Sequence, residues 1–227
     1  MAAGAQPRQL AFALPHAESL SRDDFLEGPC NAAAVELIDR WPDWPNRIVM
    51  LVGEPGSGKS HLASIWAANA GARSTSARAL TPNAVPAALA TGALVVEDLG
   101  PADIDERALF HLLNLARQEE ADVLLTARTP PAGWALEVPD LLSRLRAVPV
   151  VMLAPPDDAL LRALIVKLCL DRQLDIDEAL VNYVAGRIER SFAAARRAVA
   201  LLDAEALRQR RPVTRALAVE LLRGPAA

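Results

Sequence analysis

The sequence predicts an α/β fold, a five-stranded parallel sheet flanked by helices, followed by an all-helical lid. Three observations predict it. Short apolar runs alternate with helical patterns from residue 31 to about residue 154, the grammar of parallel strands joined by crossover helices. A glycine-rich string, GEPGSGKS at residues 53–60, falls between the first apolar run and the first helical stretch after it. At Ala154 the grammar changes, because Pro155 and Pro156 interrupt the chain and everything beyond them has helical periodicity.

The elements follow in order. Candidate strands lie at residues 47–52, 93–97, 122–126 and 148–153, where β-branched and other apolar residues cluster, and at the more polar residues 72–76. Helical stretches separate them at residues 59–70, 82–90 and 105–118, with a short one at residues 139–144. Past the two prolines, Leu160, Leu161, Leu164, Ile165 and Leu168 recur at three- and four-residue spacing. Leu180, Val184 and Ile188 do the same, as do Phe192, Val199 and Leu202, and then Leu217 and Leu221. That spacing makes one apolar stripe per helix, and the stripes together make a small bundle.

Composition bounds the function classes. The chain has 227 residues and is 52% hydrophobic, enough to bury a sizeable core. With 24 basic against 28 acidic residues the net charge is -4, which offers no overall attraction to nucleic acid or anionic lipid. Cys30 and Cys169 lie far apart without C-x-x-C spacing, so they read as reduced thiols rather than a disulfide framework or metal site. No apolar run reaches the length of a membrane span and the N-terminus lacks the pattern of a secretory signal, so the expectation is a cytoplasmic protein.

The string at residues 53–60 carries the first chemistry. It matches G-x-x-x-x-G-K-[ST] and follows the apolar run Ile48, Val49, Met50, Leu51 and Val52, the context a phosphate-binding loop requires. Gly53, Gly56 and Gly58 permit backbone turns that aim successive amides, those of Glu54, Pro55's successor and Ser57 among them, at phosphate oxygens. The following helix adds its positive N-terminal end. Lys59 supplies a point charge for the β- and γ-phosphates and Ser60 a hydroxyl for magnesium. ADP or ATP with magnesium is therefore the expected ligand. The chain then divides into an arm at 1–22, a nucleotide-binding α/β domain at 23–154 and a helical lid at 155–227.

A second element should come from another strand end, and Leu94, Val95 and Val96 run into Glu97 and Asp98. In the usual arrangement one acid holds magnesium through its water shell and the next polarises the attacking water. The acid first in line here is Glu97, one methylene longer than aspartate, which points to binding more than to efficient hydrolysis. Glu97 is the expected metal partner and Asp98 the expected catalytic acid.

With GKSHL at residues 58–62, VVEDL at 95–99, LLTARTPP at 124–131 and VPDLLSRL at 138–145, the chain resembles the AAA+ ATPases, and among them the Hda family related to the replication initiator DnaA, in its alphaproteobacterial HdaA-like form. The similarity runs from about Phe25 to Leu222 and includes FLEGPCN at residues 25–31, which resembles the entry segment beside the adenine pocket. The resemblance adds Leu26 and His61 to the nucleotide site. It makes Thr126 the strand-end sensor of the γ-phosphate and Arg144 an arginine finger that reaches a neighbouring subunit's nucleotide. It also exposes a departure: the family's lid arginine falls on Ala193 or Ala194, neither of which can touch a phosphate. Arg190 and Arg196 lie about one turn away, as substitutes or as surface charges.

Upstream, Gln9, Leu10, Phe12 and Leu14 resemble a sliding-clamp-binding peptide, with the glutamine at a pocket mouth and the apolar side chains as anchors. The resemblance then implies a regulatory adaptor. Held on the DNA polymerase III sliding clamp, it stimulates hydrolysis of DnaA-bound ATP through Arg144 and so prevents over-initiation of replication. Its own ATP turnover would be weak. No direct sequence-specific DNA binding and no membrane partner are expected, and a homo-oligomer stays open. The alternative is an active, helicase-loader-like AAA+ ATPase.

Overall fold

A computed structural model describes residues 21–222. Five strands form one parallel sheet: β1 Ile48–Val52, β2 Arg73–Ser76, β3 Ala93–Leu99, β4 Asp122–Ala127 and β5 Val150–Met152, in the spatial order β2-β3-β4-β1-β5. The central strands are buried on both faces. Helices α1 Ala32–Asp39 and α2 Lys59–Ala70 cover one face, packing on Val49, Leu51, Val95 and Leu124. Helices α3 Val85–Leu89, α4 Glu106–Gln118 and α5 Pro139–Arg146 cover the other, packing on Ile48, Met50, Val96 and Leu125. Alternate side chains of each strand thus feed separate cores on its two sides.

Strand order positions the site. From β1 the chain crosses to the far edge at β2, returns through β3 and β4, and then places β5 on the opposite side of β1. The connections from β1 to β2 and from β4 to β5 thus run to opposite sides, opening a crevice at the carboxyl ends of the strands, where open parallel sheets take ligands.

Four further helices follow β5: α6 Asp158–Asp171, α7 Glu178–Ala185, α8 Phe192–Gln209 and α9 Arg215–Leu221. They share a core of Leu161, Leu164, Leu168, Val184, Val199, Leu202 and Leu217. All four begin on side-chain caps, Asp157, Asp177, Ser191 and Thr214, each accepting a backbone amide of the first turn.

The structure also departs from the sequence reading. Helix α1 occupies a stretch to which no helix was assigned, its buried face being Ala34, Val35, Leu37 and Ile38. The stretch read as one helix over residues 82–90 begins as a 3-10 turn, Pro82–Ala84, before α3. The edge strands β2 and β5 are shorter than expected, and β3 runs on to Leu99. The candidate clamp peptide, Gln9, Leu10, Phe12 and Leu14, lies outside the described residues. Among the described residues no helix is long and apolar enough to cross a membrane.

Candidate functional site

Between β1 and α2 the chain turns through Gly56 at φ 75° and Gly58 at φ 101°, conformations that a side chain would strain. Gly58 caps α2, and beyond it the amides of the first helical turn open toward the crevice. The loop is tied to the sheet because the Gly53 amide donates to the Ala127 carbonyl at 3.1 Å. Lys59 is 6% exposed. Its ammonium donates to the carbonyls of Gly53 at 2.7 Å and Glu54 at 3.0 Å, and to the Ser57 hydroxyl at 3.4 Å. Burial pushes its pKa down from the ordinary lysine value, the nearby Asp98 carboxylate opposes that, and the Arg128 guanidinium adds to the lowering. Ser60 is exposed at the second position of α2.

Across the crevice, β3 breaks register between Val96 and Leu99, and Asp98 sits at φ 57°. A non-glycine residue in this region is uncommon and its cost must be met by local bonds. Thr126, 1% exposed, meets part of it: its hydroxyl accepts the Asp98 amide at 3.0 Å. The sequence-derived sensor and catalytic acid are therefore coupled through the backbone, with Asp98 itself exposed and Glu97 half-buried.

The entry segment closes the other side. Phe25 meets His61 edge-on at 5.1 Å between ring centroids, and a side chain at Gly58 would come within 3.1 Å of the Phe25 ring. His61 Nε2 lies 2.8 Å from the Ser21 carbonyl, which fixes the proton on that nitrogen. Burial holds its pKa below the ordinary histidine value, partly offset by that carbonyl. Phe25, Leu26, Gly58, His61, Phe192 and Arg196 line a cavity of about 30 Å³. Leu26 packs partly on the lid core while Phe25 belongs to the sheet core.

The lid reaches the loop directly. A methyl group added at Gly56 would stand 2.5 Å from the Ala193 Cβ, so the first turn of α8 rests on the glycine loop where the sequence places alanine instead of arginine. The two candidate substitutes diverge. Arg190 pairs with Asp158 at 2.9 Å on the surface, and Arg196 stands on the Phe25 and His61 side of the loop.

Arg144 lies apart from these groups on α5. Its guanidinium stacks over Phe110 of α4 at 4.9 Å and has no carboxylate partner among the described residues. Helix α5 has no side-chain cap of its own. Glu106 of α4 replaces it, its two carboxylate oxygens accepting the amides of Glu137 at 2.9 Å and Val138 at 2.8 Å. No local motif marks Glu106 or Phe110, and Arg128 falls inside LLTARTPP at residues 124–131 without a role of its own there.

The arrangement fits a polyphosphate. It offers a buried cation, inward-turned amides and a helix N-terminus, with Lys59 held only by neutral oxygens. For magnesium, no group of three or more His, Cys, Asp or Glu among the described residues could hold an ion. Ser60 with Glu97 or Asp98 suits a metal that draws its remaining ligands from phosphate and water.

No protein-family profile matches the chain. In three dimensions it is similar to domain III of the Thermotoga maritima replication initiation protein DnaA, at TM-score 0.71 and 19% identity, covering 90% of this chain and 95% of that one. It is also similar to AMPPCP-bound DnaA from Aquifex aeolicus, at TM-score 0.66 and 17% identity, over 83% of this chain and 68% of that one. The Thermotoga maritima RuvB Holliday junction branch migration motor matches at TM-score 0.69 and 18% identity, over 90% and 72%. The fold is that of AAA+ P-loop proteins. In the AAA+ frame the glycine loop, the acidic end of β3, Thr126 and the first turn of α8 converge on one crevice, and Arg144 stands on a separate surface.

Proposed function

We propose that this chain is a DnaA-related regulatory AAA+ protein whose chemistry acts on a partner's nucleotide. The observation that carries the reading is Arg144: a half-exposed guanidinium, held over Phe110 on a helix that α4 caps, with no carboxylate to neutralise it. Such a group, offered to ATP bound on DnaA, neutralises charge developing on the transferred phosphoryl group. The chain's own site is built for retention. Ala193 meets the glycine loop where a lid cation would act, and Glu97 stands first among the acids.

In this reading Gly53, Glu54, Pro55, Gly56, Ser57, Gly58, Lys59, Ser60 and His61, with Leu26, hold ADP or ATP. Ser60 and Glu97 complete the magnesium shell, and Asp98 and Thr126 face the terminal phosphate. AMPPCP-bound DnaA of the same fold supports the nucleotide. The bound nucleotide supplies a polyanion that joins loop and lid. The arm at 1–22, through Gln9, Leu10, Phe12 and Leu14, holds the chain on the DNA sliding clamp, the core at 23–154 and the lid at 155–227 forming the body. The protein acts in the cytoplasm, turning DnaA to its ADP form once clamps are on DNA.

The test uses radiolabelled ATP on DnaA with clamp-loaded DNA. Wild type stimulates hydrolysis, Arg144→Ala loses the stimulation by about two orders of magnitude or more, and the double variant Gln9→Ala with Leu10→Ala loses it through the clamp. Full stimulation by Arg144→Ala overturns the finger. Rapid ATP turnover by the purified chain alone replaces the adaptor by a loader-like ATPase.

A further inference from the structure

We infer that Arg128 is a phosphate-contacting side chain of this protein's own nucleotide site, and that it makes the site prefer a nucleoside triphosphate over a diphosphate. The inference rests on the nucleotide reading above and goes beyond it in adding a cation from the end of β4 to Asp98 and Thr126 at the terminal phosphate.

Strand register fixes the position of Arg128. Val52 pairs with Ala127 in the β1–β4 ladder, and the Gly53 amide donates to the Ala127 carbonyl. Arg128 is therefore the next residue along β4's path, beside the first glycine of the loop. On its other side Leu99 pairs with Ala127, which brings the acidic end of β3 against the same point. Arg128 thus leaves the sheet between the loop and Asp98, where the far end of a phosphate chain lying along the loop would come.

Charge makes the placement informative. Arg128 is exposed and has no carboxylate partner among the described residues, and Gly53 links the two cations, its carbonyl accepting from the Lys59 ammonium and its amide donating to the carbonyl of Ala127, next to Arg128. Two like charges at the mouth of one crevice repel, and an anion between them turns that repulsion into attraction. The other candidate cations are occupied elsewhere: Arg190 by Asp158, Arg196 on the His61 side, and the first turn of α8 presents Ala193. Arg128 supplies from the sheet the cation that the lid lacks. A guanidinium suits this task because its planar fork can grip two oxygens of one phosphoryl group.

Binding, not turnover, tests it. The full chain is titrated with fluorescent ADP and with a non-hydrolysable fluorescent ATP analogue in the presence of magnesium, as wild type, Arg128→Ala, Arg128→Lys and Lys59→Ala. Arg128→Ala weakens triphosphate binding by about tenfold and diphosphate binding by less than about twofold, while Arg128→Lys keeps part of the preference. Lys59→Ala loses both ligands. An unchanged triphosphate-to-diphosphate ratio in Arg128→Ala, with Lys59→Ala still losing both, overturns the role of Arg128 alone. Undiminished binding of both by Lys59→Ala overturns the nucleotide reading itself.

Discussion

At Gly56 two demands fall on one atom: the φ of 75° disfavours any Cβ, and Ala193 of α8 occupies the space that one would need. The glycine of the loop is therefore also where the lid touches the core. His61, in the first turn of α2, gives this region a pH dependence. Its pKa is held below the ordinary value of 6.5, chiefly by burial, so the folded state favours the neutral ring. Its contribution to stability is complete above the unfolded pKa and is lost as pH falls from there through the folded value. The thermal midpoint should accordingly drop between about pH 7 and about pH 5, with a smaller drop in His61→Asn. Residues such as Lys59 and Gly56 were legible in the sequence because their chemistry depends on neighbours in the chain. Arg128 was not: its meaning comes from a strand neighbour 75 residues earlier, Gly53, whose amide bonds the carbonyl of Ala127 just before it.

Helices α4 and α5 show how one element sets another. Val138, the residue before α5, offers no side-chain cap, and Pro139 at its start has no amide to cap. Glu106 from the first turn of α4 therefore holds the entry to α5, and Phe110, one turn on, supports Arg144. Glu106→Ala should cost about 1 to 2 kcal/mol in urea unfolding through the loss of charge-assisted bonds. If the proposed function holds, it should also reduce stimulation of DnaA-bound ATP hydrolysis, because Arg144 loses its fixed direction. Glu106→Gln keeps acceptor oxygen for one amide and should recover part of each. Equal stimulation by Glu106→Ala and wild type would show that α5 is positioned without α4. Strands β1, β3, β4 and β5 were readable from their apolar runs, whereas β2 is Arg73, Ser74, Thr75 and Ser76, and α5 was readable from its proline and leucines. Helix α1 was missed because its eight residues follow an irregular entry segment, and only packing on β5 and α2 gives its buried face a purpose.

Across the whole molecule, the sheet core and the lid core meet in adjacent residues. Phe25 enters the sheet core and Leu26 the lid core, the Ala154 amide donates to the Cys30 carbonyl, and Lys167 of α6 reaches back to Asp24 at 3.0 Å. Leu26→Ala removes part of that link, so its calorimetric transition should broaden or split where wild type unfolds in one step, and saturating nucleotide should restore a single transition by binding both parts. A single sharp transition in Leu26→Ala without nucleotide would place the coupling elsewhere. The reversal of pattern at Pro155 was visible in sequence, but the entry segment's double allegiance was not, because periodicity says nothing about which core a side chain joins. The sheet core carries its own optical signature. Trp44 stacks on Trp66 of α2 at 4.9 Å and 24°, with Trp41 edge-on at 6.4 Å, close enough for the indole transitions to couple. The near-ultraviolet circular dichroism of this trio belongs to the sheet core alone, and the chain holds only one further tryptophan, Trp134. The lid holds Tyr183 but no tryptophan, so its unfolding is dark at the long-wavelength edge of that band, where indole alone absorbs, and comparing that edge with the far-ultraviolet helix signal separates the two halves without a label.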